Sequence, residues 1–179
     1  AYQDLTTSRQ TLTASADRDA WFSPAQAEAC NAAAERGLQW LASKQTEAGC
    51  WTGTVGHKMN DDYLELSTAL SVEQQRRTGH GHLGVSALCG MAFLAGGHLP
   101  DRGVYGEAVR SVHDYIVDHA LESGLLADSG TRMYSHAFAT LFLAEVYGMV
   151  ERADVKKTLQ RSVDLIVDSQ NAEGGWRYR

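Results

Sequence analysis

The stretch Arg36-Gly37-Leu38-Gln39-Trp40-Leu41-Ala42-Ser43-Lys44-Gln45-Thr46-Glu47-Ala48-Gly49-Cys50-Trp51 returns without a gap as Arg161-Ser162-Val163-Asp164-Leu165-Ile166-Val167-Asp168-Ser169-Gln170-Asn171-Ala172-Glu173-Gly174-Gly175-Trp176. The Arg, Gln, Gly and Trp positions of the two copies are each 125 apart, from 36 to 161 and from 51 to 176. An eroded copy lies between them: Tyr115-Ile116-Val117-Asp118 aligns with Leu165-Ile166-Val167-Asp168 at an offset of 50, and Gly124 then falls on Gly174. There Ala120 replaces the Gln and Leu126 the Trp. A recurring unit of this kind builds a fold by stacking one supersecondary element on the next. From Trp40 to Tyr115 the step is 75, so a period of about 50 leaves about 25 additional residues in the first unit, and the polar stretch 56–80 supplies them. The expected organisation is an N-terminal extension, 1–24, followed by one repeat domain, 25–179, with a polar insertion at 56–80.

Hydrophobic periodicity gives the units their helices. Ser23-Pro24 is a helix-start signal for the Ala-rich stretch 25–44. In 154–169, Val155, Leu159, Val163 and Ile166 share one face, and in 105–119 Val109, Val112 and Ile116 do the same. The stretches 84–95 and 136–147 differ in being apolar almost all round, which predicts helices enclosed by others or facing an apolar cavity. The order is therefore outer, inner, outer, inner, outer, with glycine-rich turns between, and the fold class is all-α, an incomplete double-layered ring or solenoid of about five helices. The repeated signature has a structural use: the Gln amide, Gln45 or Gln170, can bond backbone groups at a helix end, Gly49 or Gly174 lets the chain turn, and the indole of Trp51 or Trp176 packs under a neighbouring helix.

Bulk composition narrows the function. With 44% hydrophobic residues over 179 positions the chain can bury a core of its own. The net charge of −6, with Lys and Arg spread singly or in short pairs, lacks the basic footprint of a nucleic-acid binder. Cys30, Cys50 and Cys89 are too few and too irregularly spaced for a disulfide framework or a Cys-x-x-Cys metal site. No apolar run reaches the roughly 20 residues of a membrane span. The chain starts at Ala1 rather than Met, which fits removal of a leader or trimming of a longer chain, so the compartment stays open. It stops just after the second signature, which predicts an unfinished third unit that self-associates or needs further helices.

These residues resemble a known pattern. Arg36-Gly37, Trp40-Leu41, Gln45 and Gly49-x-Trp51, with Gln170-x-x-x-Gly174-x-Trp176, look like the Gln-Trp repeat of the squalene cyclase and protein prenyltransferase superfamily. The segments Gly79-His80-Gly81-His82-Leu83-Gly84-Val85 and Gly130-Thr131-Arg132-Met133-Tyr134-Ser135-His136 also look like bacterial proteins grouped as prenyltransferase and squalene oxidase repeat proteins. The resemblance implies an α/α toroid around a central cavity, and a terpenoid cyclase- or prenyltransferase-like module holding an isoprenoid or similar ligand; the alternative is a non-catalytic repeat domain that binds a protein, glycan or small molecule. Neither catalytic inventory carries over. The adjacent acids Asp61-Asp62 lie in the polar insertion without the cyclases' Asp-x-Asp-Asp pattern, and the Asp-x-Cys of the prenyltransferase zinc site is absent.

If the two apolar helices line the centre, their N-terminal ends meet at one rim and gather His80, His82, Arg132, Tyr134 and His136, with Asp128 just upstream. Such a group suits an anion such as a diphosphate, through an Arg fork and free helix N–H groups. The favoured reading of the group is that its His and Arg side chains cap helices and tie loops together. His80 and His82 with Cys89 or His136 form a weak metal-ligand pattern, because a His-x-His pair in a loop can diverge and a Cys on an apolar helix is ordinarily a small core residue. The other histidines, His57, His98, His113 and His119, are expected in solvent. No Gly-x-Ser-x-Gly, phosphate-binding loop or Gly-x-Gly-x-x-Gly occurs.

Overall fold

The computed structural model describes residues 23–52, 81–128 and 133–176. The extension through residue 22, the polar insertion at 56–80, His80 and Arg132 lie outside the described residues. Among the described residues all regular structure is helical: α1 (Pro24–Lys44), α2 (Leu83–Ala95), α3 (Gly106–Asp118), α4 (Met133–Tyr147) and α5 (Ala153–Asp168). The fold is thus all-α, and each helix lies within three residues of its expected bounds. The chain divides into two compact units, Ala1–Gly37 and Leu38–Arg179.

The described part of the first unit is the start of α1. Ser23 Oγ accepts from the Gln26 amide at 3.3 Å while Gln26 Oε1 accepts from the Ser23 amide at 2.8 Å, a reciprocal capping box, and Pro24 occupies the first helical position, where no amide hydrogen is needed. Residues 23–37 are exposed throughout.

In the second unit α2 and α4 lie side by side and run in the same direction, since Gly84 backs onto Ser135 near their starts and Gly90 onto the Phe142 ring farther along. Glycine at both places allows this approach; a methyl at Gly90 would stand 2.6 Å from the Phe142 ring. On the other side α2 packs on α3 and α4 on α5, and α3 also touches α5. The expected stripe of α3, Val109, Val112 and Ile116, is fully buried. That of α5 is covered only in part, with Val155 buried but Val163 40% exposed. Apolar on every side, α2 and α4 are not enclosed on every side: Leu88, Phe138 and Leu141 stand open. No described helix is long and apolar enough to cross a membrane.

Candidate functional site

The two full signatures fold in the same way. At the first, the Trp51 indole donates to the Leu41 carbonyl at 2.8 Å, and Gln45 Nε2 donates to the carbonyls of Gly49 and Ala108, both at 2.9 Å. At the second, the Trp176 indole donates to the Ile166 carbonyl at 2.7 Å and Gln170 Nε2 to the Gly174 carbonyl at 2.7 Å. In both, the Gly adopts a left-handed backbone, φ 82° and 81°. These side chains tie a helix end to the turn after it. They are structural fixtures, and they differ in cover: Trp51 is fully buried and Trp176 is 50% exposed.

The expected rim separates into side chains with distinct duties. His82 is the N-cap of α2, its Nδ1 accepting from the Val85 amide at 3.2 Å. Asp128 Oδ2 accepts from the Leu83 amide at 2.5 Å and from the Tyr115 hydroxyl at 3.3 Å. The N-terminus of α2, the place where an external anion would dock, is therefore already occupied by the chain's own carboxylate and imidazole. Tyr134 is exposed near the start of α4.

His136 is fully buried, so it cannot stand at an open rim. Its Nδ1 accepts from the Leu126 amide at 3.1 Å, and its Nε2 donates to the Ser162 carbonyl at 3.3 Å, which sets the Nε2–H tautomer. The repeat explains this. Ser86, 50 residues earlier, accepts from the Trp51 amide at 2.9 Å, as His136 accepts from Leu126. Where the large Trp51 is replaced by Leu126, the bulkier imidazole replaces the hydroxyl.

Beside Asp128 lies a group that sequence spacing did not reveal. The Cys50 thiol, buried at the turn, sits 3.0 Å from Thr46 Oγ1 and also bonds the Tyr115 hydroxyl. Burial pushes the Cys50 thiol up, more than the hydrogen bonds from Thr46 and Tyr115 pull it down, and burial likewise raises the Tyr115 phenol. Burial takes Cys89 to about 11. All three groups stay protonated at neutral pH, which suits hydrogen bonding and not nucleophilic attack. One sequence signal pointed here: Tyr115 aligns with Trp40 and Leu165, and only the middle copy carries a hydroxyl at that position. For metal binding, His82 and Cys89 lie seven residues, roughly 10 Å, apart along α2. Among the described residues no three His, Cys, Asp or Glu side chains gather as a ligand set.

His113, expected in solvent, is fully buried on α3. Its Nδ1 bonds Asp114 Oδ1 at 2.9 Å, and its buried Nε2 has no hydrogen-bond partner. Arg152 links the same carboxylate at 2.9 Å to Asp154 at 2.6 Å, so an ion-pair chain joins α3 to the start of α5. Burial lowers the pKa of His113 and of His136. For His113, Arg152 adds to that lowering while Asp114 and Asp154 oppose it. A folded-state pKa below the unfolded value near 6.5 means that the unfolded chain takes up protons first as pH falls. Stability is then full above about pH 6.5 and declines from there toward pH 5. The urea midpoint of the wild type should fall over that interval, and the fall should shrink in His113→Gln; a midpoint flat from pH 7 to 5 would contradict the burial of neutral imidazoles.

Comparison with known protein families, with curated proteins and with solved structures finds no match to this chain.

Proposed function

We propose that the chain belongs to the squalene cyclase and protein prenyltransferase superfamily it resembles, and acts as a toroid-type module that holds an isoprenoid-like chain against α2 and α4. The observation carrying this reading is the apolar strip on those helices. Leu88 and Phe138 hold equivalent repeat positions on adjacent parallel helices, are 45% and 38% exposed, and continue into Leu141 at 45%. A flexible hydrocarbon laid along such a strip removes apolar surface from water on both partners, at about 25 cal/mol per Å². No catalytic step is assigned to it, since the Cys50 and Cys89 thiols and Tyr115 stay protonated and neither catalytic signature is present.

The test is a fluorescence titration with dansylated farnesol and its diphosphate. The wild type should bind both with micromolar affinity, and Leu88→Ser with Phe138→Ser should weaken both about tenfold, the loss of roughly 1.4 kcal/mol of apolar contact. Because Asp128 already holds the α2 N-terminus, the diphosphate should gain less than about threefold over the alcohol. Absence of binding, or binding indifferent to both substitutions, overturns the reading. A second reading, a non-catalytic domain that binds protein, is favoured by a different surface: Val163, Val167 and Trp176 at the α5 end stand open.

A further inference from the structure

The repeat junction occurs in three situations. At the first, α3 seats on the Gly49 turn: a methyl on Gly49 would collide with the Ser111 backbone carbonyl, Gln45 donates to the Ala108 carbonyl, and the Tyr115 hydroxyl bonds the Cys50 thiol. Positions 108, 111 and 115 are spaced i, i+3, i+7, so they form one face of α3. At the second junction α5 seats on Gly124, with the Arg161 carbonyl in the place that Ser111 holds at the first, 50 residues on. At the third no helix is seated among the described residues: a methyl on Gly174 would meet the amide of Gln170, at 3.7 Å. Around it Val167 is 63% exposed and Trp176 50%.

The helix face that fits this end is present in the same chain. Moving Ala108, Ser111 and Tyr115 back by 75 gives Ala33, Arg36 and Trp40 on α1, all exposed, and Gly37 beside them has no heavy atom within 4 Å of a built methyl. Trp40 is 46% exposed where its equivalent Tyr115 is 6%. Sizes are exchanged in a complementary way. The position of Cys50 becomes Gly175 in the last copy, and the position of Tyr115 becomes Trp40 in the first, so the largest ring faces the smallest residue. An arginine at the Ser111 position is also admissible, as Arg161 at the second junction demonstrates.

We propose that a second copy of this chain supplies a helix to this junction, the Ala33, Arg36 and Trp40 face of its α1 seating on the Gln170, Gly174 and Gly175 end of the first. The association is head to tail, so the two surfaces are different and copies can add in a row or close into a ring. This proposal is independent of isoprenoid binding.

The experiment is sedimentation and light scattering of the full chain from about 1 to 100 μM. Wild type should gain mass with concentration. Trp40→Glu destroys the head and Gly175→Arg blocks the tail; both positions lie outside the buried core, and unchanged thermal unfolding at low concentration will confirm that both fold. Each variant alone should associate at least tenfold more weakly and sediment as a monomer over most of the range. Mixed in equal amounts they should form a one-to-one dimer and nothing larger, because one head and one tail remain intact. A wild type monomeric at about 100 μM, as when further helices of a longer chain already cover this end, overturns the proposal. So does a mixture that stays monomeric while the wild type associates, since the contact then lies elsewhere.

Discussion

Trp51→Ala should lower the unfolding free energy by about 3–5 kcal/mol, whereas Trp176→Ala, at a repeat-equivalent position and with the same indole bond, should cost about 1 kcal/mol. The difference comes from cover alone. Trp51 is fully buried, its ring centroid lies 6.0 Å from that of Phe93, and its indole satisfies the Leu41 carbonyl. Removing it leaves a cavity and an unsatisfied carbonyl, two costs that add. Trp176 is half in solvent, so its loss opens no comparable void. Urea titrations at a concentration below self-association would measure both. Equal costs for the two tryptophans would contradict the unequal cover on which the end-face proposal rests.

A comparable effect is expected from the glycines at the three junctions. Gly49, Gly124 and Gly174 have φ of 82°, 86° and 81°, a conformation that costs an alanine roughly 1–2 kcal/mol wherever it occurs. At Gly49 and Gly124 the added methyl also runs into backbone, the carbonyls of Ser111 and Arg161, which cannot turn aside as a side chain would. Either helix must withdraw from its turn. Gly49→Ala and Gly124→Ala should therefore cost about 3 kcal/mol or more, and Gly174→Ala only the backbone strain of about 1 kcal/mol. Differential scanning calorimetry of the three variants checks the ranking, and a Gly174→Ala as damaging as Gly124→Ala would mean that the end face is already covered.

The helices were legible because periodicity and helix caps act locally. Val109, Val112 and Ile116 announce their own face, and Ser23-Pro24 announces a start. The alignment of Gln45 with Gln170 and Trp51 with Trp176 likewise fixed which side chains would share a geometry. What it did not disclose is cover, since cover depends on whether a neighbour is present. Nothing in α2 and α4, apolar on every side, has a phase that singles out Leu88 or Phe138 as exposed. His113 looked like a polar residue on an outer helix, yet it is fully buried. The Cys50, Tyr115 and Asp128 group joins residues from three separate turns and helices, so no spacing rule finds it. His136 is the instructive case. Its alignment with Ser86 was available in the sequence, and following the offset of 50 through the inner helices as well as the outer ones would have identified it as a backbone tie.

The Arg152 bridge between Asp114 and Asp154 gives the stack a preferred place to come apart. Contacts between α3 and α5 are few, and at their edge this guanidinium links the two helices through half-exposed carboxylates, a kind of contact that salt weakens and that contributes little once solvated. On the other side of α3 the junction is dry, closed by Trp51, Gln45 and the backbone of Ser111. Transient opening should therefore travel inward from α5 and halt at α3, so that the molecule breathes from one end and keeps the Trp51 junction shut until it unfolds as a whole.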